Sequence, residues 1–160
     1  PEASLDALES STTATELSEK LCGAKPEKPL FLFLGSQDPK IIRDVQFVQQ
    51  GTMRDERVAL GAKFFNLIQI NGDQIGKDHA LAKMIGGKSL PRAVLISRDG
   101  EVVRKLEGKI SATRLFSAMS DIVKNDCKRD LGKFTSDMRK VLNDLEEIAR
   151  DKQNLERKTA

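Results

Sequence analysis

The sequence contains no tryptophan and no tyrosine, and its seven phenylalanines, 4 % of 160 residues, are its only aromatics. Single-stranded nucleic acid is commonly held by stacking bases on aromatic side chains, so a base-stacking surface is not expected. No excess of one charge points to nucleic acid either. The net charge is +3, and acidic residues are interleaved with basic ones along the whole chain. No apolar run approaches the ~18 residues that a membrane span needs. One histidine and two cysteines, far apart in sequence, are too few ligands for a zinc site, and no metal or other cofactor is expected. Gly72, Gly76, Gly86 and Gly87 meet neither the dinucleotide fingerprint nor the P-loop spacing. They read as turn and helix-end glycines. The chain opens on Pro1 without Met, and the expectation is a processed form or a piece of a larger protein.

What is present describes a soluble α/β protein with one core and one extension: 39 % apolar and 32 % charged residues over 160 positions. Residues 1–13 are rich in Ser, Thr and Glu and weakly patterned. Thr13-Ala14-Thr15-Glu16 has the form of a capping box, and predicts a helix with Leu17 and Leu21 on one face and Gly23 at its end. Leu30 to Leu34 is a continuous apolar run, the pattern of a strand buried on both faces. Asp38-Pro39 then reads as an N-cap and first-turn proline, opening a helix that carries Ile41, Ile42, Val45 and Val48. A second helical piece spans Thr52 to Leu60, and "KFFNLIQIN" (63–71) is the next strand. Asp78 is expected to cap a short helix from His79 to Ile85. Ser111 caps a last core helix with Leu115, Phe116, Met119, Ile122 and Val123 on one stripe.

Between these two helices lies "SLPRAVLISRDGEVVRKLEG" (89–108). Ala93 to Ile96 forms a short buried strand, Arg98-Asp99-Gly100 a turn, and Val102, Val103 and Leu106 the returning strand. A proline inside a central strand would delete a ladder hydrogen bond, so Pro91 belongs at the strand's entrance. Alternating elements closed by a hairpin predict helices on a mixed sheet.

From about Lys28 to Asn125 the chain resembles the thioredoxin-like superfamily. The segment "GGKSLPRAVLISRDGEVVRKLEGKISATRLFSAM" is similar to the second half of a thioredoxin: short helix, proline, strand, Asp-Gly turn, strand, helix. The resemblance implies a thioredoxin-like core over residues 28–127, after an N-terminal segment and first helix (1–27) and before a helical extension (128–160). It also implies that Leu90–Pro91 is cis and faces the site. A cis bond is inexpensive only before proline, at roughly 0.5–1 kcal/mol.

Thioredoxins place Cys-x-x-Cys where this chain reads Gly35-Ser36-Gln37-Asp38-Pro39-Lys40. That motif works because a helix N-terminus lowers a thiolate pKa, and because exchange needs an attacking and a resolving sulfur together. Neither is present here, so no catalytic residue is assigned. Ser36 would need an adjacent base, and the single histidine, His79, belongs to another helix. The resemblance leaves a surface: Leu90 and Pro91 opposite Ser36, Gln37, Asp38, Pro39 and Lys40 form a candidate groove for an extended peptide. The function expected is a redox-inactive module for protein binding or assembly. The alternative is a thiol-disulfide oxidoreductase or related thiol enzyme using Cys22 or Cys127, and a partner that supplies the missing residues is a third reading. Thioredoxin topology brings Cys22 and Cys127 to one end of the sheet. A Cys22–Cys127 disulfide is therefore a further candidate, and it would imply an oxidising compartment such as the periplasm or cell exterior.

The extension carries its own pattern. Leu131, Met138, Leu145 and Lys152 are seven apart, as are Phe134, Val141, Ile148 and Leu155, which together make a coiled-coil heptad. Leu142 and Ala149 widen the stripe, and Asp137, Asp144 and Asp151 flank it. Such a helix gains little from propensity alone and must pack, on its own domain or on another helix. The stripe exceeds what a small domain covers, so residues 131–160 are expected to meet a partner helix or a second copy, with Gly132 as a hinge.

Overall fold

The structure, a computed structural model, describes residues 1–22 and 27–159. Its centre is β1 (Leu30–Gly35), whose six residues are all buried. β1 pairs in parallel with β2 (Asn66–Asn71) and antiparallel with β3 (Arg92–Ile96), which pairs antiparallel with β4 (Val102–Glu107). The strand order is β2-β1-β3-β4. Alternation along β1 divides its side chains between two layers, because successive side chains in a strand point to opposite faces. Phe31 and Phe33 pack with Val48, Phe65, Leu115, Met119 and Ile122 on one face. Leu30, Leu32 and Leu34 pack with Leu8, Leu17, Leu81 and Ile85 on the other.

The first face is covered by α3 (Ile42–Gln50), α4 (Glu56–Gly61) and α6 (Ala112–Cys127). The second is covered by α1 (Leu5–Glu9), α2 (Ala14–Cys22) and the single-turn α5 (Ala82–Ile85). α1 has no counterpart in the sequence reading. It follows Glu2, which forms a parallel bridge to Gln69, with Ala3 N–H donating to the Gln69 carbonyl at 2.8 Å. The chain's first residues therefore shield the exposed edge of β2. At α2, Thr13 Oγ1 accepts from the Glu16 amide as the capping box requires, but the Glu16 carboxylate reaches back to Thr12 N–H rather than Thr13. The expected stop at Gly23 lies outside the described residues.

The hairpin forms as read, with Gly100 at φ +87° in its turn, a conformation that L side chains rarely adopt. Asp78 and His79 do not open a seven-residue helix. His79 Nδ1 instead accepts from the Leu81 amide at 3.1 Å, and α5 begins only at Ala82. The side-chain acceptor closes a local turn in place of the first helical turn.

α7 (Leu131–Thr159) follows α6 after Lys128, whose left-handed φ of 55° breaks the helix. Its 29 residues extend about 43 Å at 1.5 Å each. Only its start is docked. Leu131 is buried against the first face, Phe134 meets Phe64 edge-on at 5.0 Å, and Arg139 pairs with Glu56 at 3.0 Å. From Val141 onward every residue with a described side chain is exposed. The expected hinge at Gly132 is not where the helix leaves the domain, since Gly132 sits in the docked first turn between two anchored side chains. Among the described residues, no helix is long and apolar enough to cross a membrane.

Candidate functional site

Three chain segments meet at the C-terminal end of β1. The register sets Leu34 beside Arg92 and Gly35 beside Asn71, so Ser36 emerges between the start of β3 and the 3₁₀ turn Gly72–Gln74 that follows β2. β3 begins just after Leu90–Pro91, whose peptide bond is cis. The approach is close. A Cβ on Gly72 would lie 2.6 Å from Leu90 Cδ2 and 2.9 Å from the Gly35 carbonyl oxygen, so only glycine fits between the Leu90 side chain and the Gly35 backbone.

The residues after β1 close on themselves. Ser36 is buried, and its Oγ donates to Asp73 Oδ1 at 2.7 Å while accepting from the Asp38 amide at 3.0 Å. The Gln37 amide donates to Asp73 Oδ2 at 3.0 Å. Asp73 is itself steadied by Asn71, whose side chain accepts from the Asp73 amide at 3.1 Å. Asp38 Oδ1 accepts from the Lys40 amide at 3.0 Å, and the Asp38 carbonyl accepts from the Ile41 amide at 3.1 Å. This is a β-turn with Pro39 at its second position, where the fixed φ of proline suits it.

The sequence reading of Asp38-Pro39 as helix N-cap and first turn is therefore corrected. α3 starts at Ile42 behind Ile41, which makes no side-chain cap. The carboxylate of Asp38 is taken by an amide two residues on, the Asx-turn alternative that competes with capping. α3 thus begins six residues beyond Ser36, and the amides of Gln37 and Asp38 at this corner are taken by Asp73 and by Ser36.

The residues of the expected groove line two clefts. Ser36 and Gln37 line a cleft of about 480 Å³ together with Leu5, Ile42 and Gln69. Asp38 and Leu90 line a separate cleft of about 670 Å³, rimmed by Lys77, Lys83 and Lys88. Pro39 and Lys40 are exposed between them, and Pro91 is buried. Two residues that hold this corner went unnoticed in the sequence. One is Asp73. The other is Arg92, 5 % exposed, which donates to the Ile85 and Ser89 carbonyls at 3.0 Å each and pairs with Glu107 at 3.2 Å. Arg92 thereby fixes the loop that carries Leu90. Asp73 lies 36 residues from Gln37 and Glu107 lies 15 from Arg92, and no local motif announces either pairing.

No protein-family model matches the sequence, and no curated protein matches it. Solved structures do match. A thioredoxin from Thermus thermophilus aligns with a TM-score of 0.50 at 14 % identity, over 72 % of this chain and 87 % of its own. The fold is thioredoxin-like. A thioredoxin from Fasciola hepatica aligns at 22 % identity over 69 % of this chain and 95 % of its own, with a TM-score of 0.48. A disulphide isomerase from Xylella fastidiosa Temecula1 aligns at 20 % identity over 69 % and 86 %, with a TM-score of 0.47.

In this thioredoxin-like core the remaining thiol chemistry lies away from the corner. Cys127 is half-buried at the end of α6. Burial pushes its thiol up, with the Asp126 carboxylate adding to the shift and Arg98 and Arg129 opposing it. The side chain of Cys22, the other half of the candidate disulfide, lies outside the described residues. Among the described residues, no group of three or more metal-ligating side chains comes together.

Proposed function

We propose that this protein is a redox-inactive thioredoxin-like module that acts through protein contact, in binding or assembly. The reading is carried by one observation. Where the family resemblance places a dithiol, the chain has Ser36 to Pro39, and the hydroxyl of Ser36 and the amide of Gln37 are both committed to Asp73. Disulfide exchange needs a thiolate and a resolving sulfur at one accessible point. This corner offers a carboxylate that is an acceptor only, and a hydroxyl held by it.

The burial of Cys127 supports the same reading over a lone-thiol enzyme, because the thiolate is the reactive species and a raised pKa depletes it. Peptide contact at the old site would be shallow and would engage Leu90 and the exposed Pro39 and Lys40. The larger apolar surface on offer is the exposed part of α7 from Val141 onward. Titration of the native protein with Ellman's reagent at neutral pH tests the proposal. The expected course is slow, with no fast phase. A fast-reacting thiol, lost on Cys127→Ser or Cys22→Ser substitution, would favour the thiol enzyme instead.

A further inference from the structure

We propose that Asn71 is a gated site of covalent modification. Its side-chain amide is lost by deamidation only while the corner at the end of β1 is open, and the isoaspartate formed then keeps that corner from closing again. The proposal stands apart from the redox-inactive reading.

The chemistry starts from the sequence. Of the five asparagines in the chain, only Asn71 precedes a glycine. Glycine carries no side chain, so its amide nitrogen can approach the preceding side chain without hindrance. In the first step the Gly72 nitrogen forms a bond to Asn71 Cγ and ammonia leaves, which closes a five-membered imide. Water then opens that ring at either carbonyl. Opening at Cγ gives aspartate at position 71. Opening at the main-chain carbonyl gives isoaspartate, in which the chain runs through the former side-chain carbons. Water is the only co-reactant, and nothing is oxidised or reduced. Either product adds one carboxylate, which takes the formal net charge from +3 to +2.

The native backbone holds the reacting atoms apart. Ring closure requires the Gly72 nitrogen to eclipse Asn71 Cβ about the Cα–C bond, which tetrahedral geometry at Cα sets at a ψ of about −120°. Asn71 has ψ 103°, roughly 140° of rotation away. The reactive ψ also lies outside the regions open to an L residue, so it is reached only in passing. Several contacts resist the turn. Asn71 ends β2 opposite Gly35, and its Oδ1 accepts from the Asp73 amide at 3.1 Å. Gly72 is buried in a slot where a Cβ would meet Leu90 and the Gly35 carbonyl. Asp73, the next residue, is held by Ser36 Oγ at 2.7 Å and by the Gln37 amide at 3.0 Å. Turning Asn71 therefore lifts the end of β2 and the 3₁₀ turn off β1 together. The reaction proceeds in proportion to the population of that opened form. Losing these hydrogen bonds at once, each of ordinary strength, slows it by about a hundredfold.

One of the two products makes the opening permanent. Isoaspartate lengthens the main chain by one carbon between position 71 and the Gly72 nitrogen. Gly72 is then displaced from its slot, and Asp73 is carried away from Ser36 and Gln37, which lose their acceptor. Aspartate keeps the chain length and an acceptor oxygen for the Asp73 amide, so the corner closes over it.

Ageing of the full chain in mildly alkaline buffer, with and without urea, tests this by peptide mapping and enzymatic methylation of isoaspartyl carboxylates. In urea, isoaspartate should accumulate at position 71 ahead of Asn66, Asn125, Asn143 and Asn154. In the folded chain the same conversion should be about a hundredfold slower. Asp73→Ala removes the acceptor of Ser36 and Gln37 and leaves the Asn–Gly pair intact, so its folded rate should come within about tenfold of its rate in urea. Ser36→Ala, the milder change, should accelerate the folded chain about threefold and keeps the test decisive if Asp73→Ala does not fold. Leu131→Ala weakens the core away from the corner and should leave the folded rate within about twofold. The isoaspartyl protein, separated by ion exchange, should unfold in less urea than the aspartyl form. Four results would each overturn the proposal: no conversion at position 71 in urea, a folded chain that converts as fast as the unfolded one, acceleration by Leu131→Ala as large as by Ser36→Ala, or an isoaspartyl form as stable as the unmodified chain.

Discussion

That α7 is docked at its start and exposed beyond can be tested by comparing two perturbations of one helix. Leu131 is 1 % exposed and lies in the same buried cluster as Phe31, Leu115 and Met119. Leu131→Ala removes most of a fully buried side chain and leaves a cavity, at a cost of about 3 kcal/mol within the usual range for such changes. For a chain of this size that lowers Tm by about 6–12 °C. Phe134→Ala should add about 1 kcal/mol of lost edge-to-face contact with Phe64 to the ordinary loss of burial. The exposed Arg139–Glu56 pair contributes under about 1 kcal/mol. Deleting residues 141–160, in contrast, removes no buried side chain among the described residues. It should shift stability by at most about 0.5 kcal/mol. Thermal melts followed by circular dichroism at about 1 µM resolve the two cases. A truncation that costs as much as Leu131→Ala would mean that the outer half of α7 folds back on its own domain. A harmless Leu131→Ala would mean that its docking is not what holds the helix.

Other predictions concern the corner at the end of β1. Gly72→Ala forces a Cβ to within 2.9 Å of the Gly35 carbonyl, which is backbone and cannot swing aside, so urea denaturation should show a loss of about 1–3 kcal/mol. Arg92→Met retains the stem but orphans the Ile85 and Ser89 carbonyls and the Glu107 carboxylate; we expect a loss of about 3 kcal/mol, and a smaller one for Glu107→Gln because Glu107 is the more exposed partner. The thiol of Cys127 is pushed up, so its thiolate appears only at higher pH than for an exposed cysteine. Its alkylation by iodoacetamide at pH ~8 should be slower than that of free cysteine and should accelerate as pH rises further. The candidate Cys22–Cys127 disulfide is decided in the same reaction, by mass spectrometry without reductant. Two labelled cysteines exclude the bridge, and no label at either, with two after reduction, establishes it.

Much of the fold was legible because burial leaves a periodic trace. β1, the hairpin and α6 each follow from a run or stripe of apolar residues, and each forms where that pattern sets it. What the sequence concealed is what depends on a distant partner. Asp73 looks like an ordinary turn residue until Ser36 and Gln37 are seen to donate to it from the end of the neighbouring strand. Asp38-Pro39 has the chemistry of a helix start and is drawn instead into a turn, because its carboxylate satisfies a nearer amide. Glu2 pairs with Gln69 through backbone alone, which leaves no mark in side-chain pattern. The heptad of α7 was plain throughout, yet Phe134 and Ile148 occupy equivalent positions in it. Only the domain beneath one of them separates the docked start from the exposed remainder.

The central claim is that this thioredoxin-like core does not exchange disulfides, and insulin reduction by dithiothreitol measures that directly. With the full chain present, precipitation of the insulin B chain should follow the course seen with dithiothreitol alone, and Cys22→Ser and Cys127→Ser variants should behave identically. Acceleration comparable to that of an ordinary thioredoxin, abolished by either substitution, would contradict the account.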